Sequence, residues 1–193
     1  MRVGSNERRV PVLNLAKHLR FDAEARFRDI YEAHRVALRR YVARLAGDAS
    51  RAEDVTQEIF VRLWKEITTV GEPANARAWL YRVATNLVID RGHRRRRTLA
   101  LILPSTYAAP DAPSHDPDVE RDVVRRQLVR RALARLPEPM RQCLLLHHEG
   151  LTGREIALVL GVKPSYVGTL VLRAHDRFRR ECEALGGPDG LLG

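Results

Sequence analysis

The chain has 193 residues, 45% hydrophobic and 30% charged, with a formal net charge of +10 and a pI near 10.5. This balance excludes a disordered chain, and no apolar run approaches the roughly 18 residues a bilayer span needs. The positive excess implies an anionic partner, nucleic acid first.

Nearly all the basic residues are arginine, with Lys17, Lys65 and Lys163 the only lysines. Arginine forks bind phosphates and carboxylates in bidentate fashion, although a bias of coding origin would look the same. The N-terminal stretch is basic, but its apolar run is short and interrupted, so it lacks a signal-peptide core. No membrane insertion and a cytoplasmic location are expected. Cys143 and Cys182 belong to no CxxC and to no Cys/His set with zinc spacing. No metal site and no cofactor is expected, and the two thiols read as idle.

Taken in chain order, the periodic segments read as helices. Residues 1–21 form an N-terminal extension. From about 22 to 46, Phe27, Ile30, Tyr31, Leu38, Tyr41, Val42 and Leu45 recur at helical spacing, and Gly47 ends the pattern. In "SRAEDVTQEIFVRLWKEI", residues 50–67, Ser50 and Glu53 have the spacing of a capping box. Val55, Ile59, Leu63 and Ile67 make one apolar stripe. After the breakers Gly71 and Pro73, a third helix covers about 75–97, with Leu80, Val83 and Leu87 inward and Trp79 a further candidate for that side. Residues 98–122 carry several prolines and acids and no apolar period, which reads as a flexible Pro/Asp-rich linker. Two amphipathic helices follow from Val123, separated by Pro137 and closed by Gly150.

The clearest motif is "LTGREIALVLGVKPSYVGTLVLRA". Thr152 and Glu155 fit a capping box, Ala157 is small at the helix crossing, and Gly161 takes the tight turn. Val162, Val167 and Leu170 would lock the second helix onto the first, with Pro164 in its first turn. This is helix-turn-helix spacing, whose second helix enters the major groove by its N-terminal side chains. Ser165, Tyr166 and Thr169 then face the bases, while Arg154 and Arg173 reach phosphates. Gly168 and Leu172 are also open to the groove, Gly168 for close backbone approach and Leu172 or Tyr166 for thymine methyls. The fold class is all-α: two small helical domains and a linker, the C-terminal domain carrying the helix-turn-helix. The bounds are 22–97 and 123–186, with a tail at 187–193.

Over about 22–184 the sequence resembles the bacterial RNA polymerase sigma factors of the sigma-70 family, in the extracytoplasmic-function (ECF) group. "AEDVTQEIFVRLWK", "ARAWLYRVATNLVIDRGHRRRR" and "ALARLPEPMRQCLLL…LTGREIALVLGV" carry the resemblance. It implies a region 2-like domain that binds core polymerase and the −10 element, and a region 4-like domain that binds the −35 element. It implies an alternative sigma factor, not an enzyme, which directs core polymerase to promoters and helps melt the −10 region. By this resemblance Asp54, Gln57, Glu58 and Trp64 would contact the polymerase β′ clamp helices, with the β flap a second contact. On their chemistry alone those polar residues read as a solvated face with i,i+4 pairs such as Glu58–Arg62. The loop from Gly71 to Asn75 would hold a flipped −10 base. Arg77, Arg82, Asn86, Arg94, Arg95, Arg96 and Arg97 would line the strand path. The linker acids Asp111, Asp116, Asp118 and Glu120 would sit in an RNA channel. An anti-sigma partner is a further possibility. At Gly168, Leu170 and Leu172 the chain departs from the basic or aromatic residues many members carry, so no fixed −35 code transfers. Two alternatives stay open here: a LuxR-type helix-turn-helix regulator, and a degenerate sigma-like protein that binds polymerase without directing initiation.

Overall fold

A computed structural model describes residues 12–102 and 117–186, with side chains over 22–94 and 123–186. Among these residues all regular structure is helical: α1 Val12–Ala46, α2 Ala52–Thr69, α3 Ala76–Ile102, α4 Pro117–Arg135, α5 Glu138–His148, α6 Gly153–Leu160 and α7 Pro164–Ala184. The all-α expectation holds.

α1, α2 and α3 pack into an N-terminal unit. The stripe Val55, Ile59, Leu63 and Ile67 is buried, as its four-residue period requires, together with Leu38, Val42 and Leu45 of α1. Leu80 and Leu87 of α3 close the core from the third side, while Val83 and Trp79 are only partly buried against it. Two tyrosines complete it. Tyr41 and Tyr81 are both buried, with ring centroids 5.0 Å apart at 68°. Burial pushes the Tyr41 phenol far above its ordinary range, even against the hydrogen bond it shares with Thr85.

Three helix limits differ from the periodicity reading. α1 begins at Val12, α3 runs to Ile102 and α4 begins at Pro117. "TLALI" at 98–102 contains no breaker, so nothing stops α3 before Pro104. Proline suits the first residue of a helix, as Pro117 does in α4. The acids Asp111 and Asp116 lie outside the described residues, as do the side chains of Asp118 and Glu120 and of Arg95, Arg96 and Arg97.

The expected capping box at Ser50 does not form. Asp48 Oδ1 accepts both the Ser50 amide at 3.0 Å and the Ser50 hydroxyl at 2.6 Å, so the nearer carboxylate consumes the cap. α2 starts after Arg51 with no side-chain cap, and Glu53 and Asp54 in its first turn complement the helix dipole instead.

α4 to α7 form the C-terminal unit. Leu133, Leu136, Cys143, Leu145, Leu146, Ile156 and Ala174 are buried together. Cys143 and Cys182 are free and buried, and burial raises the Cys143 thiol to about 11, which keeps it protonated and unreactive.

Candidate nucleic-acid interface

The helix-turn-helix is built as its sequence dictates. Thr152 Oγ1 accepts the Glu155 amide at 3.3 Å, and Glu155 Oε2 accepts the Thr152 amide at 2.8 Å, a reciprocal capping box. Those bonds hold the Glu155 carboxyl below the usual range, against the cost of burial, and Asn75 and Arg77 lower it further. Gly161 ends α6 in the left-handed conformation at φ 66°, where a Cβ would be strained. α7 then leaves at 94° to α6.

Val167, Leu170 and Ala174 are buried under α7, with Val171 packed partly against the core. Ser165, Tyr166, Gly168, Thr169, Leu172 and Arg173 are all exposed, and Arg154 is exposed on α6. The residues expected to face DNA thus share the outer side of one helix, while its locking residues face inward. Leu172 is 69% and Tyr166 44% exposed, a large outlay of apolar surface for a helix so well seated. Open space lies beyond the Gly168 Cα, where a side chain would meet nothing.

Two features of this unit escaped the sequence reading. Leu158 of α6, one turn after Arg154, is 57% exposed on the helix that precedes α7. A groove of about 260 Å³ lies between the start of α5 and α7, lined by Pro137, Met140, Arg173, Asp176, Arg177 and Arg180. The repeating i,i+3/i+4 spacing of Arg173, Arg177 and Arg180 was the available signal.

On α2, Asp54 and Gln57 are exposed and Glu58 is half-exposed, away from the buried stripe. Glu58 accepts from Arg62 at 2.6 Å, the i,i+4 pair expected of a solvated face, and from Arg91 of α3. Burial works to raise the Glu58 carboxyl, but the two guanidinium groups win and hold it below the usual range. Trp64 is partly buried, and Phe27 packs edge-on against it at 5.5 Å, so most of its ring serves packing.

The −10 candidates divide. Arg82, Asn86 and Arg94 are exposed along α3, and Gly71 takes φ 120° in the loop before it. Asn75 caps α3 by accepting the Ala78 amide at 2.8 Å, the job its residue type does best at a helix start. Its amide also donates to Glu155 Oε1 at 3.4 Å, across to the C-terminal unit. Arg77 turns the same way. It donates to the Glu149 carbonyl at 2.6 Å and lies 4.0 Å from Glu155. Asn75 and Arg77 are therefore drawn into contact with α5 and α6 rather than left on an open strand path.

The C-terminal half of this arrangement matches the Sigma-70 region 4 family model over residues 126–176, and the N-terminal half matches the Sigma-70 region 2 model over 30–98. Over 157 residues, 80% of this chain, the sequence is 35% identical to the ECF RNA polymerase sigma factor SigL of Mycobacterium tuberculosis, of which 86% is covered. The chain belongs to the ECF sigma factors.

This sigma factor directs RNA polymerase in the initiation of transcription. It is also 32% identical to the ECF RNA polymerase sigma factor SigE of Mycolicibacterium smegmatis, over 78% of this chain and 59% of that one. Two solved structures share its fold. One is the sigma factor RpoE in complex with the anti-sigma factor NepR from Bartonella quintana, with a TM-score of 0.64 at 20% identity over 81% of this chain and 96% of that one. The other is CnrH in complex with the cytosolic domain of CnrY, with a TM-score of 0.61 at 23% identity over 86% of this chain and 96% of that one. Membership decides against one of the alternatives left open by the sequence. A LuxR-type regulator has no region 2, and here that region spans most of α1 through α3.

Proposed function

We propose that this ECF sigma factor reads promoters with two separate surfaces and holds core polymerase through both of its domains. The region 4-like domain, 123–186, lays α7 in the major groove of the −35 element. Ser165, Tyr166, Gly168, Thr169 and Leu172 meet base edges and thymine methyls, while Arg154 and Arg173 hold phosphates. The observation that carries this reading is the exposed row on α7 above the buried Val167, Leu170 and Ala174. With Gly168 and Leu172 in the middle of that row, readout depends on shape and methyl groups more than on arginine–guanine pairs.

The region 2-like domain, 22–97, takes the −10 element. The loop from Gly71 to Asn75 receives an unpaired base, and Arg77, Arg82, Asn86 and Arg94 to Arg97 steer the non-template strand. Asp54, Gln57, Glu58 and the edge of Trp64 bind the polymerase β′ clamp helices, and the C-terminal domain binds the β flap. The protein has no catalytic step of its own; it lends binding energy to promoter choice and strand opening. It works in the cytoplasm, beside the polymerase. An anti-sigma factor is a natural regulator, since relatives of the same fold are found in complex with one.

The test is transcription in vitro with core polymerase and the upstream DNA of the protein's own genome. Specific starts that depend on this protein support the reading. Tight duplex binding without polymerase, and no dependent start on any template, would overturn it.

A further inference from the structure

Two histidines of the C-terminal unit meet across a helix packing, and neither has a part in the promoter or polymerase surfaces. His147 lies in the last turn of α5, and His175 lies on α7, three residues beyond Leu172. They are far apart in the chain, but α5 and α7 pack together and bring the two rings to 5.8 Å between centroids, at 89°. Both residues are exposed. The χ2 torsion of an exposed imidazole is broad, so each ring can aim a nitrogen into the space between them.

The separation suits a shared ion. Two imidazole nitrogens bound to one zinc each stand about 2.0–2.1 Å from it, which sets their ring centroids roughly 5–6.5 Å apart. The pair already falls in that range, with no backbone movement needed. The end of α5 adds a second attraction, because the free carbonyls of a helix C-terminus carry partial negative charge and favour a cation in the last turn. The protonation state is also suitable, since a metal takes neutral imidazole. Partial burial first, then His147, hold His175 below 6.5, with Arg179 acting in the same direction and Asp176 against it. The neighbouring candidates are engaged otherwise. His148 accepts from Arg44 through Nδ1 at 3.3 Å. Cys143, one turn before His147, is fully buried, and burial holds its thiol protonated.

We propose that His147 and His175 form a two-histidine site for a divalent transition-metal ion of the zinc type, which pins α7 to the end of α5. Imidazole nitrogen selects zinc, nickel and copper, whereas magnesium and calcium require oxygen donors. Among the described residues no further side chain enlarges the pair into a group of three metal-binding residues. Water therefore fills the remaining positions, and the ion binds reversibly instead of serving as a closed structural centre. Bound there, it stabilises the folded C-terminal unit by mass action and steadies the helix that carries the exposed row from Ser165 to Arg173.

The test is calorimetric titration of the full chain with ZnCl2, beside thermal melts with and without the metal. A single zinc should bind, and the melt should move upward. His147→Gln and His175→Gln should each weaken zinc binding by about tenfold or more, at least what the loss of a supporting partner costs a metal site. The double variant should lose little beyond either single one, because two ligands of one ion do not act independently. Both positions are exposed, so these variants should melt like wild type when no metal is present. His175→Arg gives a second check, since a fixed cation in the site should abolish binding. His148→Gln should bind zinc as wild type does, and excess MgCl2 should leave the melt unshifted. The site is overturned by any of four results: no zinc binding, wild-type zinc affinity in the two single Gln variants, an equal loss in His148→Gln, or an equal shift with magnesium.

Discussion

Tyr41 and Thr85 share a 2.7 Å hydrogen bond between their hydroxyls in the buried centre of the N-terminal unit. Thr85 uses its single proton to donate to the Tyr81 carbonyl at 2.7 Å, so Tyr41 must be the donor to Thr85 Oγ1. The two partners are therefore unequal. Thr85→Ala strands a buried phenol donor and should cost about 1–3 kcal/mol, more than Tyr41→Phe, which should cost about 1 kcal/mol. Urea unfolding of the two variants checks the order; equal losses would mean the phenol finds another acceptor.

The capping box ties stability to pH. The folded-state carboxyl of Glu155 is lowered below 4.5, so its contribution is complete above that value and fades as pH falls through the folded value. His34 and His175 are both lowered from 6.5, first by burial and then by Arg77 and His147 respectively. Their neutral forms are favoured in the fold, so stability declines as pH falls from above 6.5. Two acid-side losses are expected in thermal melts, one below neutrality and one in the carboxylate range. Glu155→Gln should remove part of the second and leave the first. Thr152→Ala should cost about 1 kcal/mol at neutral pH.

Charge reversal at Asp54 and Glu58 should abolish core polymerase binding while the protein stays folded. Glu58 gives up pairs with Arg62 and Arg91, but such half-exposed pairs are worth roughly 0–1 kcal/mol. Pull-down with core polymerase and a parallel melt decide it. Unchanged affinity in a folded variant would remove the clamp assignment.

Gly168 offers the sharpest probe of −35 reading. It lies inside α7 with open space beyond its Cα, so Gly168→Ala should stabilise the helix by about 0.5–1 kcal/mol. Gly168→Arg should fold equally well and move −35 preference toward guanine. Tyr166→Ala should weaken binding where the site carries thymine. Selection from randomised −35 segments measures both shifts. If neither variant alters the preferred sequence, α7 is not read in this register.

Much of this was legible in the residues. The stripe Val55, Ile59, Leu63 and Ile67, the Thr152/Glu155 box, the Gly161 turn and the inward Val167 and Leu170 are local patterns, set by helical periods and backbone sterics. Local patterns can also compete. Ser50 lost its capping role to Asp48, which sits two residues away on the non-helical side. The residues assigned to polymerase and to the −10 element came from resemblance, whereas Ser165, Tyr166 and Thr169 came from helix-turn-helix spacing.

Long-range pairing was out of reach. Tyr41 meets Thr85 across 44 residues and Arg77 meets Glu149 across 72. No period in the sequence encodes such separations. Which arginines face solvent and which are spent on Glu149 depends on how α1 and α3 lie against α5 and α6. Helix identity, caps and the exposed face of α7 were settled by neighbours a few residues apart, because that is the reach of backbone hydrogen bonds and side-chain period. The pairing of Asn75 and Arg77 with Glu155 and the Glu149 carbonyl was decided only in three dimensions, by how α3 lies against α6.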